Sequence, residues 1–191
     1  MLSDPPLLSL VPEWRHDEDE MVAETRIFTL RRRRGTSPNR PDQSGEFVYL
    51  DSADWVNVIA VTPKREIVLI EQFRHGIGEV TLEIPGGMVD AGEDPLTAGV
   101  RELAEETGYG SERFELIGAV TPNPAILNNR CHTALVEDAM PRGPCALETH
   151  EEIGVRLVPL DDIARLIGDG YIHHALVIAA FHHLTLREQL R

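Results

Sequence analysis

The stretch 86–109, GGMVDAGEDPLTAGVRELAEETGY, constrains this chain more than any other. Asp94 can accept hydrogen bonds from the first free N–H groups of a helix, and Pro95 suits the first helical position. Gly108 supplies a stop, so the pattern predicts a helix over 95–108. On that helix Glu102, Glu105 and Glu106 stand at i, i+3 and i+4, which puts three carboxylates on one face. Arg101 lies four residues before Glu105 and can reach it. Like charges at this spacing cost an isolated helix roughly a few tenths of a kcal/mol per pair. The face alone leaves two readings open. It is either a solvated surface or a ligand set for a hard divalent cation such as Mg²⁺, which takes carboxylates, waters and substrate phosphates. The flanks favour the second. Gly86 and Gly87 let the backbone approach a ligand closely and lend a carbonyl, and Glu93 sits near the helix start, where a carboxylate is favoured.

The 191 residues include 18 Lys+Arg and 32 Asp+Glu, a net charge of −14, and 42% are hydrophobic. That supports a real core and rules out disorder of the whole chain. The charge argues against general binding to nucleic acid or an anionic membrane. An anionic substrate would need positive charge brought to it. No run of apolar residues reaches the ~18 of a membrane-spanning helix. The start, MLSDPPLLSLVPEW, lacks a basic segment and carries prolines in its apolar stretch, so no signal peptide is expected. Cys131 and Cys145 make no disulfide framework, and a reducing cytoplasm is the simplest location.

Along the chain, residues 1–20 are expected to form a surface arm. A strand over 24–34, a turn over 35–45 and a strand over 46–50 suggest an N-terminal β-hairpin or small sheet. The arginine run 31–34 is expected on a solvated edge strand. The runs 55–61 and 67–73 read as buried strands joined in a hairpin. Further strands are expected at 81–85, 115–120, 131–137 and 153–160, and helices at 161–167 and 174–190. The first half of the last helix is apolar all round, so it should be well buried. The histidine pairs 173/174 and 182/183 lack metal-ligand spacing and are expected on a helix surface or in dimer packing. Trp14 reads either as a terminal anchor or as a stacking residue. The element order argues α+β, with a mixed sheet between helices, over a doubly wound fold. The expected division is 1–53, an N-terminal arm and β segment, and 54–191, the main domain.

The central stretch resembles the Nudix hydrolase signature, G-x5-E-x7-R-E-U-x-E-E-x-G-U, with U a bulky apolar residue. Gly87, Glu93, Arg101, Glu102, Leu103, Glu105, Glu106 and Gly108 match, and Tyr109 stands in the last apolar slot. The resemblance implies an α/β/α sandwich with a mixed sheet. It also implies Mg²⁺-dependent hydrolysis of a nucleoside diphosphate linked to another group, with Mn²⁺ as a substitute. By the same resemblance Glu102 and Glu106 are metal ligands, Glu105 assists, and the carbonyl of Gly86 or Gly87 also ligates. Arg101 and Glu93 would orient these carboxylates.

Outside the signature, IVLIEQFRHG followed by TLEIPGG, Pro124, and the ending EEIGVRLVPLDDIARLIGDGYIHHALVIAAF resemble the ADP-ribose and nucleoside diphosphate-sugar pyrophosphatases. That implies a nucleoside monophosphate and a sugar phosphate as products, with ADP-ribose the leading substrate. It also implies a homodimer built through residues 1–53. A catalytic base is expected from the loop LETHEE, with Glu151 chosen over Glu148, Glu152 and His150. Arg74 is expected to clamp phosphate, Glu83 to bond a ribose hydroxyl or a metal-bound water, and Arg130 to face the substrate. Two alternatives stand beside this: a Nudix enzyme acting on nucleoside triphosphates or RNA 5′ ends, and a binding module that has lost catalysis.

Overall fold

The computed structural model describes residues 11–17, 19–40 and 42–190. The chain forms two compact units, Met1–Ser52 with Asn123–Asn128, and Ala53–Pro122 with Asn129–Arg191. No helix among the described residues is long and apolar enough to cross a membrane.

The first unit is an antiparallel sheet of β1 (Arg15–His16), β2 (Glu20–Glu24), β3 (Thr29–Thr36) and β4 (Ser44–Asp51). Strand β3 pairs with each of the other three, so the arginine run lies on a central strand and not on an edge. The unit satisfies these charges internally. Arg31 bonds Asp51 at 2.6 Å, Arg32 bonds Glu20 at 2.6 Å, and the Arg33 guanidinium lies 4.1 Å from the Tyr49 ring centroid. The expected single strand over 24–34 is broken by a turn. Thr25 closes it, accepting the Phe28 N–H at 3.1 Å and donating to the Phe28 carbonyl at 2.7 Å. Trp14 packs edge-on against Phe47, with centroids 5.6 Å apart, which makes it an anchor within this unit. Most of the expected arm, residues 1–10 and 18, lies outside the described residues.

The second unit holds β5 (Trp55–Ala60), β6 (Glu66–Arg74), β7 (Glu79–Glu83), β8 (Gly86–Met88) and α1 (Pro95–Thr107). There follow β9 (Tyr109–Gly110), β10 (Arg113–Val120), β11 (Cys131–Glu137), β12 (Met140–Pro141) and β13 (Ile153–Pro159). A 3-10 turn (Leu160–Asp162), α2 (Ile163–Gly168) and α3 (Ala175–Gln189) complete it. One sheet runs β10-β11-β5-β8 and is mixed, because β11 and β5 are parallel and the other pairs antiparallel. A second, antiparallel sheet runs β13-β6-β7. Strands β5 and β6 therefore part into different sheets; of the expected hairpin, the turn closed by the Thr62 N–H on the Glu66 carbonyl at 2.8 Å and a bridge between Val61 and Ile67 remain. Strand β5 pairs with β11 and β6 with β13, partners far away in sequence that local pattern does not reveal.

Strand alternation explains the layers. Val56, Val58 and Ala60 of β5, with Ala134 and Val136 of β11, pack against Ala98 and Leu103 of α1. Ile59 and Leu135, facing the other way, join Val177, Ala180, Phe181 and Leu184 of α3. Helices cover both faces, giving the α/β/α sandwich. Gly99 lets α1 sit close to the sheet, since a Cβ there would press on Val56, Val58 and Ala134 at 3.1–3.3 Å. Helix α3 is buried on one side only; Ile178 stays 36% exposed, so its apolar character exceeds what the core uses.

The start of α1 is fixed as the sequence predicts. Asp94 accepts the N–H groups of Leu96 and Thr97, both at 3.1 Å, and Gly108 ends the helix in the left-handed conformation at φ 71°. Replacing Asp94 with Ala should cost about 1 kcal/mol and lower the melting temperature by roughly 2–4 °C. An unchanged melting curve would show that the cap carries no stability.

Candidate active site

Arg101 organises the helix face. Its Nε and Nη2 bond the two Glu93 oxygens at 3.1 and 3.0 Å, and Nη2 also donates to the Met88 carbonyl at 3.2 Å. Its Nη1 reaches Glu102 at 2.8 Å and Glu105 at 3.1 Å. All five guanidinium N–H groups are thus used. Bonding to Glu93 first, then to Glu102 and Glu105, raises the arginine's already high pKa. One side chain ties the loop before α1, strand β8 and two carboxylates of the helix together.

Glu106 is the buried member, 3% exposed, and its Oε2 accepts the Gly86 N–H at 2.9 Å. Burial pushes its carboxyl up to about 8; the Gly86 bond opposes this, and the charges of Glu102 and Glu151 add to it. Burial also raises the Glu102 carboxyl, against the opposing bond from Arg101. The glycines before the helix are sterically required. A Cβ on Gly87 would collide with the Glu102 carboxylate, and one on Gly86 with the Val56 carbonyl.

Beside this face opens a cavity of about 570 Å³. Gly86 and Gly87 form one wall, Trp55 and Met88 are apolar contributors, and Arg74, Glu83 and His174 bring charge and polarity. Glu83 is 3% exposed. It takes Arg74 Nε and Nη2 at 2.8 Å each, the Thr81 hydroxyl at 2.6 Å and His174 Nδ1 at 2.8 Å. Burial alone would push this carboxyl up. The bonds from Arg74, His174 and Thr81 outweigh it and hold Glu83 well below the ordinary carboxylate range.

Residues 51–181 match the NUDIX domain. The chain belongs to the NUDIX family. It is 31% identical over 155 residues to the ADP-ribose pyrophosphatase of Bacillus subtilis (strain 168), covering 81% of this chain and 83% of the relative. It is 30% identical over 155 residues, with the same coverages of 81% and 83%, to a methanol dehydrogenase activator of Bacillus methanolicus. A crystal structure of an ADP compounds hydrolase shares the fold, with TM-score 0.79 over 96% of this chain and 97% of that one, at 20% identity.

NUDIX hydrolases generally use divalent metal ions. Among the described residues, no group of three or more His, Cys, Asp or Glu side chains is gathered for a metal. Arg101 engages Glu102 and Glu105, and the Gly86 N–H engages Glu106. The donor chemistry nevertheless fits a hard cation. The donors are all oxygen, and the mutual repulsion of Glu102, Glu106 and Glu151 calls for positive charge. Of the acids in the LETHEE loop, Glu151 is the one whose charge acts on both helix carboxylates. Its backbone N–H bonds the Glu148 carbonyl at 3.1 Å and its side chain accepts the Glu148 N–H at 2.9 Å, so it closes a tight turn of the loop. Glu148 and Glu152 are exposed.

Arg74 and Glu83, expected as separate substrate contacts, are paired with each other. Arg130 has an exposed side chain, and its main-chain N–H is held by Asp54 at 2.8 Å; it does not line the cavity. Sequence reasoning missed His174 and Trp55 as cavity residues. Spacing along one helix carries no sign of His174, because its partner lies on β7.

Because the Glu83 carboxyl is depressed in the folded protein, its stabilisation is present above the ordinary carboxylate value of 4.5 and is lost as pH falls below it. Glu83→Gln should therefore cost roughly 1–3 kcal/mol at pH 7, with the gap to the parent protein narrowing below about pH 4. Denaturant unfolding across pH measures this. A pH-independent gap would contradict the assignment.

Proposed function

We propose that this NUDIX hydrolase cleaves the pyrophosphate bond of nucleoside diphosphate sugars, with ADP-ribose as the leading substrate, to a nucleoside monophosphate and a sugar phosphate. The carrying observation is the carboxylate face of α1, with buried Glu106 feeling the charges of Glu102 and Glu151 and bonded to the N–H of Gly86, a residue that also lines the cavity presenting Arg74. The ADP-ribose pyrophosphatase of Bacillus subtilis (strain 168), which matches most of this chain, supports the substrate class.

Glu102 and Glu106 would hold the cation, with Glu105 and the Gly86 carbonyl assisting. Mg²⁺ is the expected ion and Mn²⁺ a substitute. A bound divalent ion neutralises the diphosphate and acidifies water. The chain's own residues do the rest. Glu151 takes the proton from the attacking water. Arg74 supplies a fixed positive charge toward the anion. Arg101 touches no substrate in this scheme; it keeps Glu102 and Glu105 in place and links them to Glu93. Glu83 serves in this scheme by holding Arg74, and Arg130, on the loop before β11, is the further substrate-facing candidate. Residues 1–53 are proposed as a dimerisation segment and 54–191 as the hydrolase domain. The division between compact units at Ser52 and Ala53 supports that boundary. A homodimer working in the cytoplasm completes the proposal.

A panel of ADP-ribose, GDP-mannose, UDP-glucose, NADH and a nucleoside triphosphate, run in ¹⁸O water, tests the substrate class. Label in a mononucleotide or sugar phosphate supports it, whereas release of inorganic pyrophosphate from the triphosphate alone would favour the triphosphate alternative. Glu106→Gln should lower kcat by at least about two orders of magnitude, and Glu151→Gln by roughly 10²–10⁴. Both should keep the parent circular dichroism spectrum. Activity within about tenfold of the parent for Glu106→Gln would remove Glu106 from the metal assignment.

A further inference from the structure

We propose that His174 is a positioning residue for Arg74, acting through Glu83, so that the start of α3 sets the anion contact of the cavity. The inference rests on the hydrolase reading above and adds a residue that the signature does not contain. Both Glu83 oxygens are filled. Oε1 accepts Arg74 Nε and Thr81 Oγ1, and Oε2 accepts Arg74 Nη2 and His174 Nδ1. Those four bonds match the roughly four acceptor sites of a carboxylate. Glu83 therefore has no lone pair left for a ribose hydroxyl, and its part is to aim Arg74.

The aim is specific. The fork from Nε and Nη2 to a carboxylate is bidentate and fixes the guanidinium plane. Nη1 is the nitrogen this fork leaves over for an anion. The Arg74 side chain is 43% exposed, against 3% for Glu83, so the guanidinium is the accessible end of the chain of bonds. Its charge already acts on Glu106, which places it within electrostatic reach of the helix carboxylates. His174 precedes the first turn of α3, Glu83 ends β7 and Arg74 ends β6, so three elements converge on one carboxylate. Loss of the His174 bond frees Oε2 to turn, and the fork turns with it.

Asn and Gln separate the two ring nitrogens of His174. An Asn amide can stand in for Nδ1, whereas a Gln amide reaches toward the Nε2 position and misses Glu83. Steady-state hydrolysis of ADP-ribose with Mg²⁺ should show KM raised about tenfold in His174→Ala and His174→Gln, with kcat within about threefold. His174→Asn should restore KM to within about threefold. In an Arg74→Ala background, His174→Ala should change KM by less than about twofold, because its effect passes through Arg74. Calorimetric binding of inorganic pyrophosphate with Mg²⁺ should weaken in the same order. A wild-type chain that hydrolyses no nucleotide sugar sinks the functional reading, while the pyrophosphate affinities still report on His174. Equal affinities in wild type and His174→Gln, additive effects with Arg74→Ala, or no binding of pyrophosphate by wild type would each overturn the inference.

Discussion

The five hydrogen bonds of Arg101 are the constraint on which the rest of the site depends. A helix face with three glutamates repels itself. Arg101 offsets part of that repulsion from within the same helix, and it anchors the helix to Glu93 and to the Met88 carbonyl. Loop, strand end and helix then behave as one rigid piece. The close approach of Gly86 and Gly87 has meaning only because that piece is held in place. Removing Arg101 would loosen four partners at once, and among the described residues no other Lys or Arg pairs with Glu93, Glu102 or Glu105.

Charge also explains what the acidity of the chain is for. A net charge of −14 seems hostile to a diphosphate substrate. Yet the acids that matter are few and concentrated. Glu106 is buried, Glu102 is close enough to raise its pKa, and Glu151 adds to the same field. Keeping these groups ionised at neutral pH requires positive charge from solution, which is how an acidic surface comes to hold an anion. Arg74 is the protein's own contribution, and it is held by a carboxylate that burial would otherwise neutralise. The arginines of β3, by contrast, are matched inside their own sheet.

Much of this was legible in the sequence, for a physical reason. Helix α1 is specified by contiguous residues: a cap at Asp94, a proline, a 3.6-residue period and a stop at Gly108. Arg101, Glu102, Glu105 and Glu106 sit on that one element, so their geometry follows from spacing. The pairing of β5 with β11 and of β6 with β13 was not legible, because each partner lies far along the chain. The same holds for Glu83 and His174, which are 91 residues apart and meet only in the folded state. The central place of β3 was hidden because its arginines resemble a solvated edge until Asp51, Glu20 and Tyr49 are brought opposite them.

The central claim is that the Glu102–Glu106 face is a divalent-cation site. Titration of the protein with Mn²⁺, followed by the electron paramagnetic resonance signal of the free ion, tests it most directly. The account predicts that the wild-type chain removes the free signal and that Glu106→Gln, folded to the same melting temperature, largely fails to do so. Equal Mn²⁺ uptake by the two proteins would contradict it.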